Sequence, residues 1–264
     1  MTPKTAEDRL RYAKHYASVL TSVGIPTDLL QLQPNKRIHV MKALSCLAKY
    51  TGQTEQWRHM RQQYQLTWST GTEKIDAFTR FFDSDKSLDV MIQWLREAIQ
   101  VLPSKYGNLL LFCTLTGMRG SECVEAVRLL CAQSTKDVEQ QYYNPERQIL
   151  QHYLFPQIFI RRTKAIYISI VNDEIIRIVQ KIGKPPTLRG LKAASMRRKL
   201  SMKIKYCRKI HASYLRQSGI ESEIINMLQG RVGKDIFLRH YYSPDNNFKD
   251  RVLDAVVSLE KEIK

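Results

Sequence analysis

Acidic residues are scarce: 25 Asp and Glu stand against 42 Lys and Arg, leaving a formal net charge of +17 over 264 residues. An excess of that size points to a polyanionic partner such as nucleic acid, although charge alone says nothing about catalysis. Long apolar runs are absent as well. No stretch approaches the roughly 18 apolar residues of a membrane span, and Met1 to Val23 mixes acidic and basic residues where a signal peptide would have an uninterrupted apolar core. The expectation is a soluble, cytoplasmic protein without a membrane partner. Cys46, Cys113, Cys123, Cys131 and Cys207 are odd in number and lack paired metal-ligand spacing, which excludes a disulfide framework and a zinc site and leaves reduced, structural thiols. The six histidines form no HExxH or His-x-His pattern. No metal and no cofactor is expected, and neither internal repeats nor low-complexity tracts break the chain.

What is present is 43% hydrophobic residues, ample for a buried core, with periodicities that suggest two domains. From Thr5 to Val23, Leu10, Ala13, Ala17 and Leu20 recur at helical spacing behind a Thr5/Asp8 pair that resembles a capping box, and Gly24-Ile25-Pro26 closes the helix. After Pro34, Ile38, Met41, Leu44 and Ala48 mark a second amphipathic helix, and Glu55 to Leu66 a third. Residues 1–66 therefore read as a compact helical unit, with Lys36, Arg37, Lys42, Arg58 and Arg61 on faces that either follow a phosphate backbone or keep the surface solvated. Thr67 to Lys86 reads as a linker, with Phe78, Phe81 and Phe82 in a short packed turn.

Residues 87–264 form the second domain. Leu88–Val101 and Gly107–Thr116 read as helices, and Gly117 supplies a residue that tolerates the left-handed conformation past a helix end. Tyr153–Arg162 and Ala165–Val171 are rich in aromatic and β-branched residues, with Ile166, Ile168 and Ile170 alternating against Tyr167 and Ser169, which predicts a β-hairpin turning at Thr163 and Lys164. Helices follow over Asp173–Ile182, over Leu188–Ser218 with a break near Met202, over Glu221–Gln229 and over Asn247–Ile263. The fold class is thus mainly α with a small β-sheet. The closing helix, with Val252, Leu253, Val256, Val257 and Leu259 on one side, packs either on its own core or on a neighbouring protomer. Trp57 and Trp94 read as core residues, and Tyr153 and Tyr167 as hairpin packing.

Between Arg189 and Lys209 there are nine basic residues and no acidic one. A stretch without counter-charge suits a phosphate backbone, where each neutralised phosphate releases condensed counterions. Thr116-Gly117-Met118-Arg119-Gly120-Ser121-Glu122, placed after an apolar helix, resembles the first arginine box of tyrosine recombinases, T-G-x-R-x-x-E. Downstream, Tyr214 to Ile220 leads into Ile224-Ile225-Asn226-Met227-Leu228-Gln229-Gly230-Arg231, which resembles the segment around that family's second arginine box and its following L-G-H or L-G-W. Counting back from Gly219 puts Arg208 on the second family arginine. The position three before it, usually histidine, holds Lys205, and the one after the glycine, usually histidine or tryptophan, holds Arg231. Both departures resemble archaeal and archaeal-virus integrases. His211 is then a bystander packed in its helix. Phe237 to Tyr242 lies about ten residues past Arg231, where the family keeps its nucleophile, and the hairpin bearing Lys164 falls between the two boxes, where it keeps a catalytic lysine.

The resemblance implies a helical core-binding domain plus a tyrosine-recombinase catalytic domain, closing around double-stranded DNA attachment sites and working as a homotetramer on two paired sites in the nucleoid. It implies a site of Arg119, Lys164, Lys205, Arg208, Arg231 and Tyr241. Two guanidiniums can hold the non-bridging oxygens of a phosphodiester bidentately, the natural task of Arg119 and Arg208, with Arg231 as a third donor. Tyr241 attacks phosphorus to give a 3′-phosphotyrosine, and Lys164 protonates the leaving 5′-oxygen. Lys205 is either a base with a depressed pKa or a plain cationic contact to the phosphate. Glu122 either orients Arg119 through a salt bridge or caps the next helix. Tyr241 is preferred over the adjacent Tyr242 because it directly follows Arg239-His240 and only one of two neighbouring phenols on a helix can face the phosphate. The alternatives are a type IB topoisomerase-like relaxing enzyme and a non-catalytic DNA-binding regulator on the same fold.

Overall fold

A computed structural model describes residues 3–21, 27–68, 87–132, 142–161, 164–200, 203–231 and 243–264. The chain divides into two compact units, Met1–Asp83 and Ser84–Lys264. The linker phenylalanines Phe78, Phe81 and Phe82 and the turn residue Thr163 lie outside the described residues, as do Met202, Tyr241 and Tyr242.

In the first unit, helices α1 (Pro3–Tyr16), α2 (Ser18–Thr21) and α3 (Thr27–Leu30) precede α4 (Pro34–Tyr50) and α5 (Thr54–Gln63). The longest, α4, opens on Pro34, whose fixed φ and missing N–H suit a first helical position. It buries Val40, Met41, Leu44 and Ala48 against α1 and α5, and Trp57 completes the core while its indole donates to Ser45 Oγ at 2.7 Å. The N-terminal helix departs from the expected pattern. It begins at Pro3, breaks at Ala17, and leaves Leu10 57% exposed, because its buried residues are Tyr16 and then Val19 and Leu20 beyond the break. Asp8 is paired with Arg11 at 2.8 Å and sits too far into the helix to cap it.

The second unit is built around α7 (Ser104–Thr116), which is apolar on all sides and buries everything from Leu109 to Thr116. Such a helix has to be surrounded. Around it stand α6 (Leu88–Val101), α8 (Gly120–Ala132), α10 (Asp173–Gln180), α12 (Lys205–Gln217) and the closing helix α14 (Phe248–Ile263); α11 (Leu188–Arg197) packs on α8. Side-chain oxygens of Ser87, Asn172 and Thr187 accept the first free amides of α6, α10 and α11. Val252, Ala255, Val256, Leu259 and Ile263 of α14 are buried against this unit's own core. Past the end of α11, Lys199 lies at φ +56°.

The small sheet differs from the expected hairpin. Strand β5 (Ile168–Ile170) pairs antiparallel with β2 (Ile149–Gln151), which also pairs with β1 (Tyr143–Asn144). Residues 152–159 form a 3-10 turn and a short helix, α9 (Pro156–Phe159), before β3 (Ile160–Arg161) pairs with β4 (Lys164–Ala165). Pro156 explains the departure, since it removes a ladder donor and initiates a helical turn despite the β-prone composition around it. Ser169, expected to face outward, is buried. Among the described residues, no helix is long and apolar enough to cross a membrane.

Candidate active site

Two glycine-terminated helix ends converge with α12. At the end of α7, Gly117 adopts φ +64°, and a Cβ there would lie 2.6 Å from Nδ1 of His211. The chain thus turns tightly against the imidazole and delivers Arg119 to the start of α8. Glu122 stands at the third position of α8, where its Oε2 accepts the Arg119 main-chain N–H at 2.9 Å and its Oε1 accepts the Arg119 guanidinium at 2.8 Å. It both caps the helix and orients the arginine, so the two roles weighed from sequence coexist. Only 1% of the Glu122 side chain is exposed, against 24% of Arg119.

Arg208 lies in α12, one turn before His211. Its guanidinium donates to the carbonyl of Gly117 at 3.2 Å and to the carbonyl of Gln229, tying it to both glycine turns. Gln229 answers by donating its side-chain Nε2 to the Arg208 carbonyl at 3.0 Å. Among the described residues, these bonds engage two of the five N–H donors of a guanidinium. Burial, then Arg119 and Arg231, hold the pKa of Arg208 down near 10, opposed by Glu122. Arg231 is likewise lowered, by burial and by Arg119. Arg208 thus feels both Arg119 and Arg231, while among the described residues the ion pair in this group is that of Arg119 with Glu122, leaving an excess of positive charge that an oxyanion would relieve.

The second glycine turn follows α13 (Ser222–Leu228). Gly230 at φ +59° lets the amides of Gly230 and Arg231 bond back to Met227 and Asn226, at 3.0 and 2.8 Å, in a Schellman turn that projects Arg231. A Cβ on Gly230 would fall 1.7 Å from the carbonyl oxygen of Ala165. The main chain of the Lys164 hairpin is thus seated directly on the turn that carries Arg231.

Of the residues expected from sequence, Arg119, Arg208 and Arg231 come together, and the main chain at Lys164 lies beside them, with Lys164 paired to Arg161. Lys205 is exposed at the start of α12, one turn before Arg208, with its ammonium 5.5 Å from the Tyr206 ring. His211 is buried, and burial followed by Arg208 and Arg231 pushes its pKa down to about 3, so it stays neutral beneath the cluster. Gln229 went unrecognised in the sequence because nothing but its place before Gly230 signals a role. Among the described residues, no group of three or more His, Cys, Asp or Glu comes together to hold a metal ion.

Residues 161–253 match the archaeal phage integrase family. That segment contains Lys164, Lys205, Arg208, Arg231 and Tyr241 but not Arg119 or Glu122. The first arginine box is joined to the matched segment by the hydrogen bond of Arg208 to the Gly117 carbonyl and by the packing of Gly117 against His211. No curated protein and no solved structure matches the chain.

Proposed function

We propose that the chain is a site-specific DNA recombinase of the integrase type that cleaves and rejoins DNA through a 3′-phosphotyrosine. The observation that carries this reading is the gathering of Arg119, Arg208 and Arg231. Structural arginines are usually paired off against carboxylates; of these three, Arg119 alone is in an ion pair among the described residues. A scissile phosphate brought among them would have its non-bridging oxygens held by charge-assisted hydrogen bonds that strengthen as charge accumulates in the transition state. Donors already fixed by the Gly117 and Gln229 carbonyls need no reorganisation at that moment.

In this reading the phenol of Tyr241 releases its proton to solvent as its oxygen attacks phosphorus, the bond to the 5′-oxygen breaks, and Lys164 gives that oxygen its proton. Lys205, one turn from Arg208 on α12, adds a cation to the phosphate. The phosphoester energy stays in the tyrosine adduct, so religation by a 5′-hydroxyl reverses the same steps without ATP. Arg189, Lys192, Arg197, Lys199 and Lys203 are all exposed, consistent with a surface that follows the duplex. The N-terminal helical unit serves as the core-binding domain, and two paired sites would require a tetramer.

The test is an SDS-resistant protein–DNA adduct formed in excess EDTA on a nicked duplex that traps the cleaved state. The wild-type protein should form it, and Arg119→Ala and Arg208→Ala should each reduce it by about 10²-fold or more. Strict dependence on a divalent metal, or adduct levels unchanged by both substitutions, would overturn the reading.

A further inference from the structure

The sheet behind the Lys164 hairpin holds a buried polar chain that the proposed chemistry does not use. Tyr142, His152 and Ser169 are at most 2% exposed. The phenol of Tyr142 lies 2.9 Å from Nδ1 of His152, and Nε2 of His152 lies 2.9 Å from Oγ of Ser169. Burial holds His152 down near pKa 3, so the ring is neutral, with one N–H donor and one acceptor. Each hydroxyl can donate or accept, so both ring nitrogens are satisfied only in this bridging position. His152 is thereby fixed between β5, through Ser169, and the segment leading into β1, through Tyr142.

The ring's next contact is Phe159. Its centroid is 4.5 Å from that of His152, and Tyr142 stacks on the same phenyl at 5.9 Å with an interplanar angle of 14°. Phe159 is the last residue before the hairpin, and its carbonyl accepts the amide of Ile166 at 3.2 Å, closing the hairpin's base just outside the Ile160–Ala165 pair. The carbonyl of Ala165 then abuts Gly230. An unbroken run of contacts leads from the imidazole through Phe159 to the backbone that bears Lys164 and to the turn that bears Arg231.

We propose that His152 is a positioning residue for Lys164, locking the Phe159 base of its hairpin in register with the arginine cluster. This rests on the recombinase reading above and on Lys164 as the donor of the leaving group's proton. A histidine suits the task better than an apolar residue because its two hydrogen bonds fix the ring in rotation as well as depth, and Phe159 inherits that placement.

The experiment compares two nicked duplexes in single-turnover cleavage by the full chain, one with an ordinary scissile phosphate and one with sulfur in place of the bridging 5′-oxygen. A thiolate leaves without a proton, so the second substrate bypasses whatever Lys164 supplies. His152→Ala should slow cleavage of the ordinary duplex by about 10- to 100-fold, part of what loss of a general acid or its misplacement by about 1 Å costs. It should cleave the sulfur-containing duplex within about 2-fold of wild type, with DNA affinity unchanged. Because His152→Ala strands two buried hydroxyls and is prone to misfold, Ser169→Ala and Tyr142→Phe are measured beside it. Each removes one bond and should show the same substrate-selective defect in smaller degree. Equal slowing on both duplexes, or no slowing by any of the three, overturns the assignment to His152. A wild-type protein that forms adduct with neither duplex overturns the recombinase reading itself, and this inference with it.

Discussion

Replacing Gly230 with alanine tests how the Lys164 hairpin and the Arg231 turn are joined. Two costs arise. The residue sits at φ +59°, a left-handed conformation that costs an L-residue about 1–2 kcal/mol. The new methyl carbon would also lie 1.7 Å from the Ala165 carbonyl oxygen, whereas such carbons essentially never come closer than 3.0 Å, so the two backbones must part by about 1.3 Å (3.0 minus 1.7). Neither partner is a flexible side-chain tip. Gly219 provides the control: its φ is +84°, but a Cβ there meets nothing within 4 Å. Gly219→Ala should therefore lose only the backbone cost, lowering Tm by about 2–4 °C per kcal/mol for a domain of this size, and should cleave DNA at the wild-type rate. Gly230→Ala should lose more stability and, because a misplacement of about 1 Å in a reacting constellation costs about 10²-fold, should slow single-turnover cleavage by about that factor. Its DNA affinity should stay within about 2-fold of wild type. If the two variants were indistinguishable in Tm and rate, the contact between Gly230 and Ala165 would have no part in holding the site together.

Glu122→Gln should destabilise the second unit by about 2–3 kcal/mol, less than the roughly 3–5 kcal/mol for breaking a fully buried pair, because Arg119 keeps some access to water. Inorganic phosphate at about ten times its Kd should restore about 1.4 kcal/mol by occupying the unneutralised cluster, and thermal melts with and without phosphate measure it. His211 has its folded pKa near 3 against about 6.5 unfolded, so the unfolded state takes up the proton first as pH falls. Its stabilising contribution is whole above pH about 6.5 and lost towards pH 3 at up to about 1.4 kcal/mol per pH unit; denaturant titrations of His211→Gln should show that slope reduced. DNA binding should weaken steeply with salt, and joint replacement of Lys192 and Arg197 by alanine should lower the log–log slope by about 2.

The helices of the second unit were legible because their caps and breakers are local: Ser87, Asn172 and Thr187 accept first-turn amides, and Gly117 and Gly183 lie at positive φ where the pattern stops. The arginines were legible through spacing around glycines. The three-stranded sheet was not, because β1 and β2 are only two and three residues long and β2 has no alternation to read, all three of its residues being buried. Helix α8 was equally silent, since its cap comes from Glu122 folding back onto Arg119 and its first residue is a glycine. Gln229, the seating of Ala165 on Gly230 and the His152 chain depend on contacts between residues far apart in sequence. No periodicity carries such information.

Peptide mapping of a trapped adduct is the most direct test of the account. The protein is incubated in EDTA with nicked duplexes drawn from the DNA flanking its gene, the denatured adduct is digested, and the DNA-bearing peptide is sequenced. A 3′-phosphate ester on Tyr241 is expected, with Tyr241→Phe abolishing the adduct while preserving binding and Tyr242→Phe retaining it. DNA linked to Tyr242 would displace the nucleophile by one residue. Attachment to no tyrosine, with specific binding intact, would contradict the claim that this arginine cluster serves phosphoryl transfer to the protein.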